Sequence, residues 1–280
     1  MAVRALLLAL LGLVLHLAGC AAGARVSFPN VAQSDAVAGS ATLVTPEGPG
    51  PFPAVVLLHG CSGVRPNAYQ WADLLKAHGY ASLILDSFGP RRVGEICTKF
   101  SRVSVSQRVL DAYSALRFLG ARRDIDPTRI ALMGFSHGGG AALDAVESDW
   151  VRRMSDTGLR FQASIALYPS CQGRDASQPN YRAPVMILIG DRDDWTPASS
   201  CERLARGLDD DSARLELRVY PGAMHSFDDL TAGGRLPFVR NPNSPSGYGA
   251  SVGGDARSLA RARVEVLEFL KPLETVGNMR

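Results

Sequence analysis

The most chemically suggestive residue of this 280-residue chain is a serine held between glycines. Ser136 is the centre of Gly-Phe-Ser-His-Gly at 134–138, after the apolar run 130–133 and before a segment of small residues. That order predicts a strand, a sharp turn and a helix. Such a turn exposes the hydroxyl at the positive end of the helix dipole, where an oxyanion is stabilised. Although the motif alone is a weak signal, it makes Ser136 a candidate nucleophile.

An acidic cluster and a histidine follow two later apolar runs. The run 184–189 leads into three aspartates within 191–194, and the run 215–220 leads into His225. Serine, aspartate and histidine therefore each follow a strand-like run, in the chain order of α/β-hydrolases. The pattern predicts that His225 takes the proton of Ser136 and that an aspartate orients the imidazole.

A glycine-rich loop follows another buried-type strand. Residues 54–58 are an unbroken apolar run, as in parallel sheets, and His59-Gly60-Cys61-Ser62-Gly63 comes next. This loop would lie at the same edge of the sheet as the serine turn. We therefore expect the backbone N–H groups of Cys61 and His137 to form an oxyanion hole. His59 is interpreted as a residue that braces the loop.

Strand-like and helix-like segments alternate along the chain, which requires parallel crossover connections. The sequence therefore predicts an α/β fold with a mostly parallel, doubly wound sheet flanked by helices, in a single domain over 21–280. Residues 25–46 read as one or two edge strands. The other predicted elements are a helix at 68–77 capped by Asn67, a strand at 81–85, a helix at 105–119, a strand at 161–167 and a closing helix at 258–270.

The segment 228–255, just after His225, is rich in Gly, Pro, Asn and Ser. We expect a long irregular loop there, acting as a lid beside the site or remaining disordered.

Residues 1–20 have the features of an export signal. Arg4 precedes an apolar run at 5–15 that is short for a membrane span, and Leu-Ala-Gly-Cys closes it at 17–20. This ending resembles the lipobox of bacterial lipoproteins, in which Cys20 would carry the lipid; an ordinary signal peptide is the alternative. We expect a protein tethered by lipid to the periplasmic face of the outer membrane, or a periplasmic or secreted protein if Cys20 is not lipidated.

Export changes the interpretation of the remaining four cysteines, because disulfides persist in oxidising compartments. From the strands that each cysteine follows, we predict the pairs Cys61–Cys97 and Cys171–Cys201. Free buried thiols are the alternative. No metal is expected, because the spacing matches no cysteine or histidine metal motif.

Composition narrows the classes of partner. The chain is 46% hydrophobic, which is ample for a core, and its formal charge of +3 is small. No basic stripe studded with aromatic residues suggests nucleic-acid binding, and neither common glycine-rich nucleotide loop is present. We expect a small-molecule substrate and no cofactor; nothing indicates the oligomeric state.

Five short motifs together resemble the dienelactone hydrolase family, over about 52–270. They are LLHGCSG (57–63), DSFGPR (86–91), GFSHGG (134–139), GDRDDWTP (190–197) and YPGAMHSFD (220–228). The resemblance implies a triad of Ser136, Asp193 and His225, because the family's acid stands three residues after the glycine and four before the proline of its motif. Founding members of the family use a cysteine nucleophile, whereas this chain has serine, as many relatives do.

The resemblance also implies how substrate is bound. Founding members hold a substrate carboxylate with two arginines; Arg91 roughly matches the first, and Asp228 and Asp229 occupy the place of the second. Trp195 and Phe227 are candidates for an apolar pocket wall, with core packing as the alternative. The expected activity is hydrolysis of a small ester or lactone through an acyl-enzyme. Peptide cleavage and a catalytically silent scaffold remain the competing interpretations.

Overall fold

The computed structural model describes residues 23–31, 38–174, 179–208 and 212–275. The predicted signal peptide, with Cys20, lies outside the described residues. Within the described ranges, no helix is both long enough and apolar enough to cross a membrane.

In the described ranges, eight strands form one sheet in the order β1-β2-β4-β3-β5-β6-β7-β8. Only β1 and β2 run antiparallel to their neighbours, and the pairs from β4 to β8 are all parallel. The strands are β1 (Ala24–Phe28), β2 (Gly39–Val44), β3 (Phe52–Leu58), β4 (Ala81–Leu85), β5 (Ile125–Phe135), β6 (Ser164–Leu167), β7 (Val185–Gly190) and β8 (Leu215–Tyr220). The predicted mostly parallel α/β fold is confirmed.

Helices lie in most of the connections between parallel strands, because parallel neighbours require a crossover, and two more follow β10. They are α1 (Pro66–Ala77), α2 (Val105–Gly120), α3 (His137–Ala145), α4 (Ser148–Arg153), α5 (Ala198–Arg206), α6 (Ala256–Leu270) and α7 (Pro272–Thr275). The central strands β3 to β7 are almost entirely buried, as expected for strands covered by helices on both faces.

Two local predictions are wrong. Helix α1 begins at Pro66 after Arg65, and Asn67 does not cap it, because the Asn67 side chain is buried and donates to Asp228 instead. The segment 228–255 is not an irregular loop. It contains an antiparallel hairpin of β9 (Gly233–Arg240) and β10 (Tyr248–Gly253), and seven of its 14 Gly, Pro, Asn and Ser residues lie in the turn 241–247.

Both predicted cysteine pairs are disulfides in the structure. Cys61 is bonded to Cys97, and Cys171 is bonded to Cys201. The first bond ties the loop after β3 to the loop after β4, and the second ties the loop after β6 to α5.

Candidate active site

Ser136 lies in a strained turn between β5 and α3. Its φ of 52° and ψ of −114° place a non-glycine residue in the left-handed half of the Ramachandran map. The turn also brings neighbouring backbone atoms too close to two glycines for either to be replaced by a residue with a side chain. A Cβ at Gly134 would lie 2.1 Å from the Gly138 oxygen, and one at Gly138 would lie 2.2 Å from the Leu58 oxygen. The Gly-x-Ser-x-Gly spacing is therefore required by packing at this turn.

Ser136, His225 and Asp193 meet at the carboxyl edge of the sheet. Ser136 Oγ is 2.9 Å from His225 Nε2, and His225 Nδ1 is 2.7 Å from Asp193 Oδ2. Asp193 follows β7 and His225 follows β8, so parallel strands carry all three residues to one rim. His225 is only 1% exposed and Asp193 only 4%, which shields their hydrogen bond from water.

The hydrogen bonds of Asp193 define the roles of the two imidazole nitrogens. Its Oδ1 accepts from the backbone N–H groups of Trp195 and Thr196, at 2.9 and 2.8 Å, and its Oδ2 accepts from the Thr196 hydroxyl at 2.8 Å. A carboxylate can only accept, so His225 Nδ1 donates to it and Nε2 remains free to accept from Ser136. Thr196 Oγ1 also lies 3.1 Å from His225 Nδ1, a contact that sequence reasoning missed.

Neighbouring acids are engaged elsewhere. Asp191 accepts from the backbone of Gly222 at 2.6 Å. Asp194 accepts from the backbone and hydroxyl of Ser251, at 2.8 and 2.9 Å, and so binds the hairpin. Of the three aspartates after β7, only Asp193 contacts His225.

The hairpin also holds the histidine loop. Gly253 donates its backbone N–H to the His225 carbonyl at 3.0 Å, and Asp255 donates to the Phe227 carbonyl at 2.8 Å. The segment that was expected to cover the site as a loop is thus a support for one of its residues.

The loop after β3 lies against the serine turn. Gly60 packs beside Ser136, since a Cβ on Gly60 would be 3.6 Å from the serine Cβ. Among the described residues, the backbone N–H groups of Cys61 and His137 have no hydrogen-bond acceptor. For His137 this follows from its place in the first turn of α3. Both amides therefore remain available to a ligand next to Ser136.

Three contacts brace this loop from behind. Arg108 Nη2 donates to the His59 carbonyl at 2.8 Å, and His59 Nδ1 donates to the Gly60 carbonyl at 2.8 Å. His59 Nε2 accepts from the Ser87 backbone N–H at 3.2 Å. Burial, together with the Arg108 charge, lowers the pKa of His59 well below its usual value, so the ring is neutral.

Arg108 also affects the residue that follows the serine. Its guanidinium is fully buried, and Nη1 lies 3.5 Å from His137 Nδ1. Burial and then this charge lower the pKa of His137 to about 3. Burial lowers the pKa of Arg108 to about 10, so the guanidinium stays protonated at neutral pH while the imidazole is neutral.

Ser136 lines two clefts formed by the described residues. The larger, of about 350 Å³, is lined by His225, Cys61, Tyr168 and Leu236, and we call it the His225 pocket. The smaller, of about 280 Å³, is lined by Phe100, Val105, His137 and Pro242, and we call it the Phe100 pocket. Ser136 and Trp195 are the two residues that line both.

Of the three residues expected to bind substrate, one lines the pockets and two do not. Trp195 lines both pockets, and its indole N–H donates to the Arg240 carbonyl at 2.8 Å. The assignment of Arg91 is wrong: its guanidinium makes two hydrogen bonds to Asp111, at 2.7 and 2.8 Å, because that buried carboxylate needs a counter-charge. Arg91 lines neither pocket.

The assignment of Phe227 as pocket wall is also wrong. Phe227 is fully buried, with its ring edge-on to Tyr168 and Tyr220 at centroid distances of 5.7 and 5.0 Å, so it belongs to the core.

A buried carboxylate behind the site was not foreseen. Asp228 accepts from the Tyr168 hydroxyl at 2.6 Å, from Trp71 Nε1 at 2.9 Å and from Asn67 Nδ2 at 3.0 Å. Burial raises its pKa, and the three donors oppose that rise. The Tyr168 ring in turn contacts His225 edge-on at 4.6 Å. In the sequence, the only signal for this contact is an acid shortly after the histidine.

No group of three or more histidines, cysteines or acids within the described residues could hold a metal ion.

The family model of the dienelactone hydrolase family matches residues 40–273. A protein of Bradyrhizobium sp. named "Probable 2-oxo-3-(5-oxofuran-2-ylidene)propanoate lactonase" is 24% identical over 207 residues, which cover 68% of this chain and 79% of that protein.

Solved structures share the fold. A dienelactone hydrolase-like promiscuous phosphotriesterase from metagenomic libraries superposes with a TM-score of 0.69 at 20% identity, covering 90% of this chain and 98% of its own. A thermophilic esterase from the planctomycete Thermogutta terrifontis gives 0.66 at 18% identity, covering 93% and 96%.

Proposed function

The chain belongs to the dienelactone hydrolase family, and from that premise we propose that it cleaves a small ester or lactone through an acyl-enzyme formed on Ser136. Membership of this family makes it a carboxylic ester hydrolase. The observation that carries the finer proposal is the continuous chain of hydrogen bonds from Ser136 Oγ through His225 to Asp193, at 2.9 and 2.7 Å.

Acylation begins when Ser136 Oγ attacks the carbonyl carbon and passes its proton to His225 Nε2. Asp193 holds the imidazole in the required tautomer and stabilises the imidazolium that forms. His225 then gives the proton to the leaving oxygen as the carbon–oxygen bond breaks. Water attacks the acyl-enzyme with His225 as base, which releases the acid and restores Ser136.

The negative charge on the tetrahedral intermediate is held by the backbone N–H groups of Cys61 and His137. Two observations support this role: neither group has an acceptor among the described residues, and the bonds from Arg108 and His59 hold the loop in place. Donors fixed in position stabilise developing charge without having to reorganise.

For the substrate, we propose only the chemical class, an ester or a lactone. The lactonase name of the Bradyrhizobium protein supports including lactones. Dienelactone itself is not proposed, because Arg91 is bound to Asp111 and an acid stands at the second arginine position.

A fluorophosphonate probe tests the nucleophile directly. We expect the probe to label the wild-type domain on Ser136, and Ser136→Ala to abolish labelling and lower the turnover of p-nitrophenyl esters by about 10⁴–10⁶-fold. Ser62→Ala is the matched control, since Ser62 also lines the His225 pocket but forms no hydrogen bond with His225 among the described residues; it should keep its labelling. Unlabelled wild type would favour a silent scaffold, and full activity in Ser136→Ala would refute the mechanism.

We also propose that residues 1–20 direct export, that Cys20 carries a lipid and that 21–280 form the hydrolase domain. The two disulfides support an oxidising compartment. Cys20→Ser should move the protein from the membrane to the soluble fraction of cells. Unchanged membrane association would contradict the lipid anchor, and a soluble wild-type protein would indicate an ordinary signal peptide.

A further inference from the structure

The two pockets that meet at Ser136 differ in their relation to the candidate base. His225 lines the larger pocket and does not line the smaller one. Trp195 lies between them, and it is fixed by the bond from its indole N–H to Arg240 and by its ring contact with His225, at a centroid distance of 4.8 Å. A substrate bound at Ser136 can therefore extend in two distinct directions.

The chemistry of acyl transfer determines which part of an ester lies in the larger pocket. The leaving oxygen must lie within hydrogen-bond reach of the protonated imidazole, because that group supplies its proton. Since His225 lines only the His225 pocket, the alcohol part of an ester has to lie there. The oxyanion takes the direction of the Cys61 and His137 amides, which leaves the Phe100 pocket for the acyl group.

The walls of the Phe100 pocket indicate which acyl group fits. The apolar walls are Phe100, Val105, Pro242 and the Trp195 indole. The other lining residues are polar but uncharged, among them Gln172 and Asn243, and none within the described ranges is Asp, Glu, Lys or Arg. Phe100 stacks on the His137 ring at 5.9 Å with an interplanar angle of 14°. The imidazole adds no charge at neutral pH, because burial and Arg108 lower the pKa of His137 to about 3. An ionised acyl group would find no counter-charge there.

The His225 pocket differs in that charged side chains line it beside apolar ones. Arg65, Asp229 and Thr231 are among its lining residues, together with the apolar Leu236. Its polar groups suit an alcohol that carries further hydrogen-bonding groups.

We propose that an ester lies across Ser136 with an apolar, uncharged acyl group in the Phe100 pocket and a polar alcohol in the His225 pocket. This assignment rests on the proposed acyl-enzyme mechanism. It makes Phe100 a determinant of acyl selectivity and Leu236 a determinant of alcohol selectivity. In the step itself, the bond from Ser136 Oγ to the acyl carbon forms, the bond to the alcohol oxygen breaks, and the serine proton leaves on the alcohol through His225.

Two ratios of kcat/KM test the assignment. The acyl ratio compares p-nitrophenyl hexanoate with p-nitrophenyl acetate, and the alcohol ratio compares 4-methylumbelliferyl hexanoate with p-nitrophenyl hexanoate. Phe100→Ala should lower the acyl ratio by roughly tenfold, because the hexanoyl chain loses an apolar wall that acetyl does not reach. The alcohol ratio of this variant should stay within about twofold of wild type, as expected for separated sites.

Leu236→Ala is the matched variant in the other pocket. It should change the alcohol ratio and keep the acyl ratio within about twofold of wild type. Phe100→Leu provides a milder version if Phe100→Ala folds poorly, and fluorophosphonate titration counts the competent sites in each preparation. A changed alcohol ratio with an unchanged acyl ratio in the Phe100 variants would overturn the assignment.

Failure of the underlying mechanism would look different. In that case Ser136→Ala would retain the activity of wild type towards every ester. The two ratios could then not be interpreted in terms of an acyl-enzyme on Ser136. If instead Ser136→Ala is inactive while the ratios respond in the wrong variants, the mechanism stands and the assignment of the pockets is overturned.

Discussion

Arg108 donates a 2.8 Å hydrogen bond to the carbonyl oxygen of His59, so a fully buried cation holds the backbone of the loop that carries Cys61. The same guanidinium lies 3.5 Å from the imidazole of His137. One side chain of α2 thus contacts both segments whose amides we assign to the oxyanion hole. Its Nε has no hydrogen-bond partner in the part of the chain that the structure describes, so the bonds to these two segments account for much of its polar contact.

Arg108→Lys should lower kcat by up to about 10²-fold with little change in KM, because a shorter amine cannot hold both segments and small displacements of catalytic groups are costly. The measurement is steady-state kinetics with p-nitrophenyl hexanoate, normalised by active-site titration. Arg117→Lys is the matched control on the same helix, since Arg117 pairs with Asp156 at the surface. Equal kcat in Arg108→Lys and wild type would show that the loop is held without this residue.

Removing the Cys61–Cys97 disulfide should lower both stability and kcat. The double Cys61→Ser, Cys97→Ser variant should lose about 3–4 kcal/mol of unfolding free energy by the chain-entropy estimate for its 36-residue separation. It should also lose turnover, because the bond anchors the residue whose N–H we assign to the oxyanion hole.

The other disulfide provides the control. Cys171 and Cys201 line neither pocket and enclose a similar separation of 30 residues. Replacing both should cost a similar free energy of unfolding, measured in urea, but should affect kcat less. An equal loss of kcat in both double variants would contradict the specific role of Cys61.

The neutral imidazole of His137 should make the fold less stable in acid. Its pKa is about 3 in the folded protein against an ordinary value of 6.5, so below pH 6.5 the unfolded chain binds a proton that the folded chain does not. Stability therefore falls as the pH drops from 6.5 towards 3, by at most about 1.4 kcal/mol per unit for this group. His59 acts in the same direction.

His137→Gln should flatten that dependence. The measurement is the free energy of unfolding in urea at several pH values between 4 and 7, for variant and wild type. As the pH falls, the free energy of unfolding should decrease less in the variant than in wild type. A difference between the two proteins that is independent of pH would mean that folding does not lower the pKa of His137.

Asp228 should change the stability with pH in the opposite direction to His137. Because burial raises its pKa above the ordinary 3.8, the folded protein binds its proton more tightly than the unfolded chain. The contribution of Asp228 to stability therefore decreases as the pH rises from 3.8 through the folded-state pKa, and is constant above it. The unfolding free energy of Asp228→Asn, compared with wild type over this range, should show that decrease in wild type alone. A parallel pH dependence in both proteins would contradict the raised pKa.

Local sequence signals were sufficient for much of the sheet and for the serine turn. The apolar runs of β3 and β7 predicted buried strands correctly, because parallel strands covered on both faces are apolar throughout. Gly134 and Gly138 mark the turn because no side chain fits at either position.

Choices between chemically similar residues could not be made from local sequence. Nothing in the order of Asp191, Asp193 and Asp194 says which carboxylate reaches His225, and the family resemblance was needed to choose. Arg91 was assigned to substrate because its position along the chain matched a motif, whereas its actual partner, Asp111, is 20 residues away on α2. Charged side chains pair with whatever the fold brings near.

The sequence by itself determined the order of the candidate catalytic residues along the chain. A serine turn, an acid and a histidine each follow a buried strand. Tertiary structure alone decided that the hairpin after His225 supports the histidine loop, that Asp228 is buried beneath Tyr168, and that two pockets meet at Ser136. The physical reason is that apolar periodicity and backbone strain are properties of adjacent residues. Hydrogen-bond partners and cavities arise between segments that are distant in the chain.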